Sequence, residues 1–236
     1  MITRNRAFIF GLALLLSMPA IAFASDKDDD IARIQRATRV FQEIMSAPDK
    51  GIPSDILASA KCIAIIPGDK KFAFIFGGNY GRGLVTCHTD HGWSAPLFLA
   101  VEGGSVGYQI GGSSTDLVMI FMNDHALQSL LGDEFKLGAD ATVAAGPVGR
   151  NASAGTDVRL SAEILSYSRS KGVFAGVSLD GAVVQADKSG DHAMYGDSVT
   201  RKEILDSQAP VPESARPLLQ EIARYRNHAK SGSSSS

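Results

Sequence analysis

The sequence predicts an α+β fold, a mainly antiparallel β sandwich or barrel-like core flanked by N- and C-terminal helices. Three observations predict it. Residues 31–45 repeat their apolar side chains at helical spacing. From Cys62 to Lys188 the chain breaks into short apolar or alternating runs separated by glycines. These runs follow one another without the long helical stretches of a βαβ pattern. The chain has 236 residues, 44% hydrophobic and 20% charged, which suits one buried core. A net charge of −2 gives no bulk attraction for nucleic acid. Its 24 glycines follow no strict period, which excludes a collagen-like chain.

The first residues read as an address. Arg4 and Arg6 precede an apolar run from Phe8 to Leu16, and Ala22-Phe23-Ala24 has the small-x-small pattern of a signal-peptidase site. Residues 1–24 are therefore expected to be a cleaved signal peptide, with a periplasmic or secreted product that sits, at most, peripherally on a membrane. The alternative is an uncleaved anchor, but the run is short beside the roughly 20 residues of a membrane-spanning helix. Removing Arg4 and Arg6 takes the net charge from −2 to −4. In that oxidising compartment the two cysteines, Cys62 and Cys87, are candidates for a disulfide, with two buried free thiols as the alternative.

Residues 25–230 read as a single domain. A helix covers 26–46, with Asp28-Asp29-Asp30 at its start. Pro53-Ser54-Asp55 opens a short second helix to about Ala60. Strands are expected at 62–67, 71–78, 82–89, 95–101, 105–111 and 116–122. Asn123-Asp124 then caps a helix to about Leu131. Further strands are expected at 135–138, 140–146, 163–169, 172–179 and 182–187, with turns at His91-Gly92 and at Asp180-Gly181 as a hairpin. Thr200 caps a helix to Leu205, and Pro212-Glu213 open another. Ser231 to Ser236 reads as a disordered tail.

Few motifs carry catalytic chemistry. Gly103-Gly104-Ser105-Val106-Gly107 matches the serine-hydrolase elbow, but residues that read as strand follow it where the elbow needs a helix. A serine hydrolase using Ser105 stays as a rival reading. Ser168-Arg169-Ser170-Lys171 matches S-x-x-K without its supporting boxes. Cys62, Cys87, His88 and His91 offer zinc-type donors, but the cysteines are better used by each other. No phosphate loop or dinucleotide fingerprint is present. The expectation is a protein without catalytic residues, metal or cofactor.

The helix at 31–45 is the clearest interaction candidate. Ile31, Ile34, Phe41 and Met45 lie on its apolar face, with Arg33, Arg36 and Arg39 beside them. Such a helix either packs on its own β core or enters a membrane interface, where each arginine adds about 1 kcal/mol toward anionic headgroups.

Several longer stretches are more specific. They include Ala60-Lys61-Cys62-Ile63-Ala64-Ile65-Ile66-Pro67, Phe76-Gly77-Gly78-Asn79-Tyr80-Gly81-Arg82-Gly83, Gly92-Trp93-Ser94-Ala95-Pro96 and Ser166-Tyr167-Ser168-Arg169-Ser170-Lys171-Gly172-Val173-Phe174-Ala175-Gly176. Through these, residues 30–198 resemble the SYLF domain family, also called the Ysc84 family. The chain looks like a small exported bacterial branch of it, with a signal peptide and no added SH3 or FYVE module. The resemblance implies lipid binding. In this branch it points to an anionic phospholipid or membrane surface of the bacterial envelope, not to actin or nucleic acid. Lys70, Lys71, Arg150, Arg169 and Lys171 are the basic residues that would form a headgroup site. The alternative for Arg150 and Arg169 is that they satisfy buried carbonyls or carboxylates. An envelope protein-interaction module without a lipid ligand is the other rival reading.

Overall fold

The first helix, α1 (Asp26–Ser46), begins on three aspartates that complement its positive N-terminal dipole. It buries Ile34, Ala37, Val40, Phe41 and Ile44 along one stripe. The computed structural model describes residues 26–46, 51–68, 80–103, 115–148, 161–170 and 173–233. The expected signal peptide, the strands at 71–78 and 105–111, Ser105, Lys70, Lys71, Arg150 and Lys171 lie outside the described residues.

After α1 come α2 (Ser54–Ser59), β1 (Cys62–Ile66), β2 (Tyr80–Thr89), β3 (Gly92–Trp93), β4 (Leu97–Glu102) and β5 (Thr115–Phe121). Next are α3 (Asp124–Ser129), β6 (Glu134–Lys136), β7 (Val143–Ala145), β8 (Ile164–Ser170), β9 (Val173–Gly176) and β10 (Val183–Ala186). The chain closes with α4 (Lys188–Tyr195), α5 (Arg201–Leu205), a 3-10 turn at Glu213–Ala215 and α6 (Arg216–Ser233). Local chemistry sets several of these bounds. The Asn123 side chain accepts from the Ala126 N–H, and Thr200 with Glu203 forms a reciprocal capping box.

The strands form one sheet in the order β6-β10-β4-β2-β1-β5-β8-β7, with β3 paired to β2 and β9 to β8. The two ends of that path, β6 and β7, are separated in sequence by residues 137–142 alone. Eight strands laid flat put the outer pair about 34 Å apart. The link reaches at most about 25 Å. The sheet therefore curls into a half-barrel, and the barrel-like alternative holds over two stacked sheets.

Each face of the sheet has its own core. Ile63, Ile65, Leu84, Phe98, Val118 and Ile120 point toward α1, α2 and α6, where Phe41 meets Tyr225 edge-on at 6.0 Å. Cys62, Ala64, Val85, Leu97, Met119 and Phe121 point into the concave side, closed by α3, α5 and Phe135 of β6. A strand between two such layers must be apolar on both sides, and β1 is buried at every position.

The structure corrects some expectations. β7 runs parallel to β8, because the chain crosses over between them and does not turn back as a hairpin. The turn at Asp180-Gly181 exists, with Gly181 at a φ of 83°, but it joins β9 and β10, which do not pair. Helix α4 stands where the sequence predicts no element, and α6 runs to Ser233, into the serine-rich tail.

Candidate functional site

Two groups of charged residues flank α1, one holding Arg33 and the other Arg169. The first is a buried chain of ions. Arg33 Nη1 donates to Asp187 Oδ2 at 2.7 Å, and its Nη2 lies 2.8 Å from Asp30 Oδ1, outside hydrogen-bonding geometry. The guanidinium sits 5.0 Å above the Phe98 ring. Arg82 of β2 donates to the same Asp187 oxygen through Nε and Nη2, at 3.0 and 2.6 Å. Ser189 Oγ and the Gly190 N–H occupy the other oxygen, which makes Asp187 the cap of α4. One helical turn on, Asp191 accepts from the Phe98 N–H at 2.7 Å and from Arg201 at 2.6 Å.

These partners set the ionisation of each acid. Burial opposes the charge on Asp187, but Ser189, Arg82 and Arg33 outweigh it and hold the carboxyl well below the ordinary carboxylate range. Burial pushes Asp30 up against the pull of Arg33. Burial also pushes Asp191 up to about 6, in spite of the Phe98 N–H and Arg201.

This network corrects the expected role of α1. Arg33 is a buried structural cation, and Ile34 and Phe41 belong to the core; none of the three faces outward. Arg39 is exposed, Arg36 is half-buried with its Nε out of solvent, and Ile31 and Met45 are half-buried at the margins of the helix. The helix is amphipathic because it packs on its own sheet, the alternative that the sequence left open.

The second group lies where the C-terminal half of α1 meets β8. Arg169 donates to Asp116 Oδ2 through Nε and Nη2, at 2.9 and 2.7 Å, and pairs with Glu43 of α1. Asp116 also accepts from the Gly68 N–H at 2.9 Å. Burial disfavours the charge on Arg169, but its bonds to Asp116 and Glu43 raise its pKa above the usual value. Arg169 thus satisfies carboxylates and is no open headgroup cation, which corrects the first expectation for it.

The surface next to it is chemically mixed. Ser170 pairs with Val173, so only Lys171 and Gly172 join β8 to β9. Val173 is 69% exposed and Val148, beyond the end of β7, is 40% exposed. These are the two exposed large hydrophobic residues among those described. Because β7 runs parallel to β8, Val148 continues toward the same end of the sheet as Ser170. Arg39 is one helical turn from Glu43, which touches Arg169.

Among the described residues the candidate metal donors Cys62, Cys87 and His88 are otherwise engaged. Cys62 and Cys87 face each other across β1 and β2 and are joined by a disulfide. Their Cα atoms are 4.0 Å apart, at a non-hydrogen-bonded pair flanked by the bond from the His88 N–H to Lys61 O. The cysteines therefore offer no thiolate to a metal, and the His88 ring packs edge-on against Trp93. Among the described residues no group of acids, histidines and cysteines could hold a metal ion, and no helix is long and apolar enough to cross a membrane.

Comparison with known proteins adds a family. The Ysc84 family model, described as "Las17-binding protein actin regulator", matches residues 102–225. An SH3 domain-containing protein of Schizosaccharomyces pombe is 40% identical over 71% of this chain and 40% of its own length. Protein YSC84 of Saccharomyces cerevisiae is 37% identical over 72% of this chain and 37% of its own. The human SH3 domain-containing YSC84-like protein 1 is 34% identical over 83% of this chain and 58% of its own. The chain thus spans about two-fifths to three-fifths of the length of these curated relatives.

Proposed function

The chain belongs to the Ysc84 family, and on that footing we propose that it is a non-catalytic binding module for an anionic phospholipid surface of the bacterial envelope. One observation carries the reading: Val148 and Val173, the two exposed large hydrophobic residues among those described, both lie toward the end of the sheet at which β8 finishes. Arg150 and Lys171 are each two residues from one of these valines in sequence. Exposed apolar side chains with cations close by in sequence suit an interface, where hydrocarbon takes the valines and headgroups take the charges. At physiological salt charges act over about 8 Å, so a local basic patch works in spite of a negative total.

The mechanism differs from insertion of α1. Drawing Ile34 and Phe41 out of the core into lipid exchanges one apolar environment for another, with no net gain from their burial. It also strips Arg33 from Asp187. The module therefore binds with α1 in place, through Arg36, Arg39 and the valine-bearing end of the sheet. The disulfide supports an oxidising compartment and hence the exported reading.

Co-sedimentation of the chain with neutral and anionic vesicles, at low and high salt, tests this. Salt-sensitive binding to the anionic vesicles alone is expected. No binding to either moves the reading to a protein-interaction module. That second reading is favoured by relatives named for a protein they bind, such as LAS seventeen-binding protein 3 of Saccharomyces cerevisiae.

A further inference from the structure

Tyr167 of β8 is fully buried, yet its hydroxyl has no hydrogen-bond partner among the described residues. A phenylalanine there would avoid the desolvation cost of that hydroxyl, so the oxygen implies a partner that the described residues do not supply. The ring stacks on Phe174 with centroids 5.3 Å apart and planes 7° off parallel. Its tip stands over Gly146: a Cβ on that glycine would collide with Tyr167 Cζ. Gly146 in turn packs so closely on Gly176 that a Cβ there would meet its carbonyl oxygen. The Tyr167 hydroxyl is thus carried into a seam of small residues, Ala144 to Gly146 on one side and Ala175-Gly176 on the other. The chain leaves this seam toward exposed Val148 on one side and exposed Val173 on the other.

We propose that the Tyr167 hydroxyl donates a hydrogen bond to the ester carbonyl of a phospholipid acyl chain that enters along this seam from the Val148 and Val173 end. The inference rests on the membrane reading above and names the part of the lipid that is recognised. The acceptor must be uncharged. Burial alone pushes the phenol up from its ordinary pKa, with no charged group contributing, so a phosphate at this depth would lack a counter-ion. An ester carbonyl is a neutral acceptor, and the hydrocarbon beyond it suits Phe174 and Leu165, which line the same core.

The experiment compares the chain with Tyr167→Phe on two sets of phosphatidylglycerol-containing vesicles. One set has ester-linked acyl chains and the other ether-linked chains, which lack the carbonyl. The unsubstituted chain is expected to bind the ester vesicles about fivefold more tightly. Tyr167→Phe is expected to bind both sets equally, with an unfolding midpoint unchanged or higher. An unsubstituted chain that does not distinguish the vesicles, or a variant that keeps the preference, overturns the inference and leaves the membrane reading standing. A lower midpoint for Tyr167→Phe also overturns it, because the hydroxyl then has a structural partner such as a buried water. Binding to neither set overturns both.

Discussion

Arg33 and Asp187, 154 residues apart in sequence, meet in a 2.7 Å ion pair with only 2% and 8% of their side chains exposed. The pair ties the first helix to the fourth through a carboxylate that Arg82 shares. Removing one partner strands the other charge in a poor solvent. Arg33→Ala is expected to cost about 3–5 kcal/mol, read from urea unfolding. Arg33→Met with Asp187→Leu would cost much less than the two single changes added together. Additive losses in that cycle would show that the pair is not coupled.

Asp191 and Asp187 respond to pH in opposite senses. The Asp191 pKa is raised to about 6 in the folded chain, so between about pH 4 and 6 the folded state holds a proton that the unfolded state releases. Its contribution to stability is complete below about pH 4 and is lost as the pH rises through 6. Asp187 is depressed, so its contribution is present above the ordinary carboxylate range and is lost only in strong acid. Asp191→Asn should therefore flatten the stability profile between pH 4 and 6 and leave the acid limb intact. A profile unchanged by that substitution would count against the assignment.

The disulfide between Cys62 and Cys87 closes a 25-residue separation, worth about 3.5 kcal/mol in the chain-entropy model. Both cysteines are fully buried among apolar residues. Replacing both by alanine should lower the unfolding free energy by roughly that amount. In the native protein the bond should resist dithiothreitol until denaturant is added, which mass spectrometry after alkylation would reveal.

Val173 is exposed, so Val173→Asp should change stability by no more than about 0.5 kcal/mol. It should weaken binding to anionic vesicles several-fold, because it places a negative charge where hydrocarbon is expected. Arg36→Ala with Arg39→Ala should weaken it further, by about 1 kcal/mol for each cation, and reduce its salt dependence. Equal binding by all three proteins would remove this surface from the mechanism.

Gly83 of β2 has no room for a side chain, since a Cβ would meet the carbonyl oxygen of Ile65 and the Cα of Ile66 at 2.9 Å. These are backbone atoms of the central strand and cannot step aside. Gly83→Ala should destabilise by about 1–3 kcal/mol, the usual range for overpacking, and circular dichroism during thermal unfolding would read it.

Features written in neighbouring residues are legible in the amino-acid sequence. The Asn123 cap, the Thr200 cap and the start of α2 at Pro53 each depend on a few consecutive side chains. Helix α4 is not legible there, because Lys188-Ser189-Gly190-Asp191 reads as a turn. Its glycine serves close packing on Phe98, where a Cβ would come within 3.0 Å. The pattern of α1 reveals that an apolar partner exists without revealing which one. The answer depends on Asp187 and Arg82, and nothing in the local sequence near Arg33 points to them. Tyr167 escapes sequence reasoning for a similar reason: its missing partner is visible only once every neighbour is in place.

Strand β10 lies between β4 and β6, both of which precede it in the chain. Until Val183 to Ala186 arrives, those two strands present bare backbone donors and acceptors to any chain nearby. A nascent or truncated polypeptide ending before Val183 therefore carries two open edges at once, the form of β-sheet most prone to aggregate. A C-terminal deletion that reaches back past Val183 thus does more than remove helices, because it uncaps the sheet.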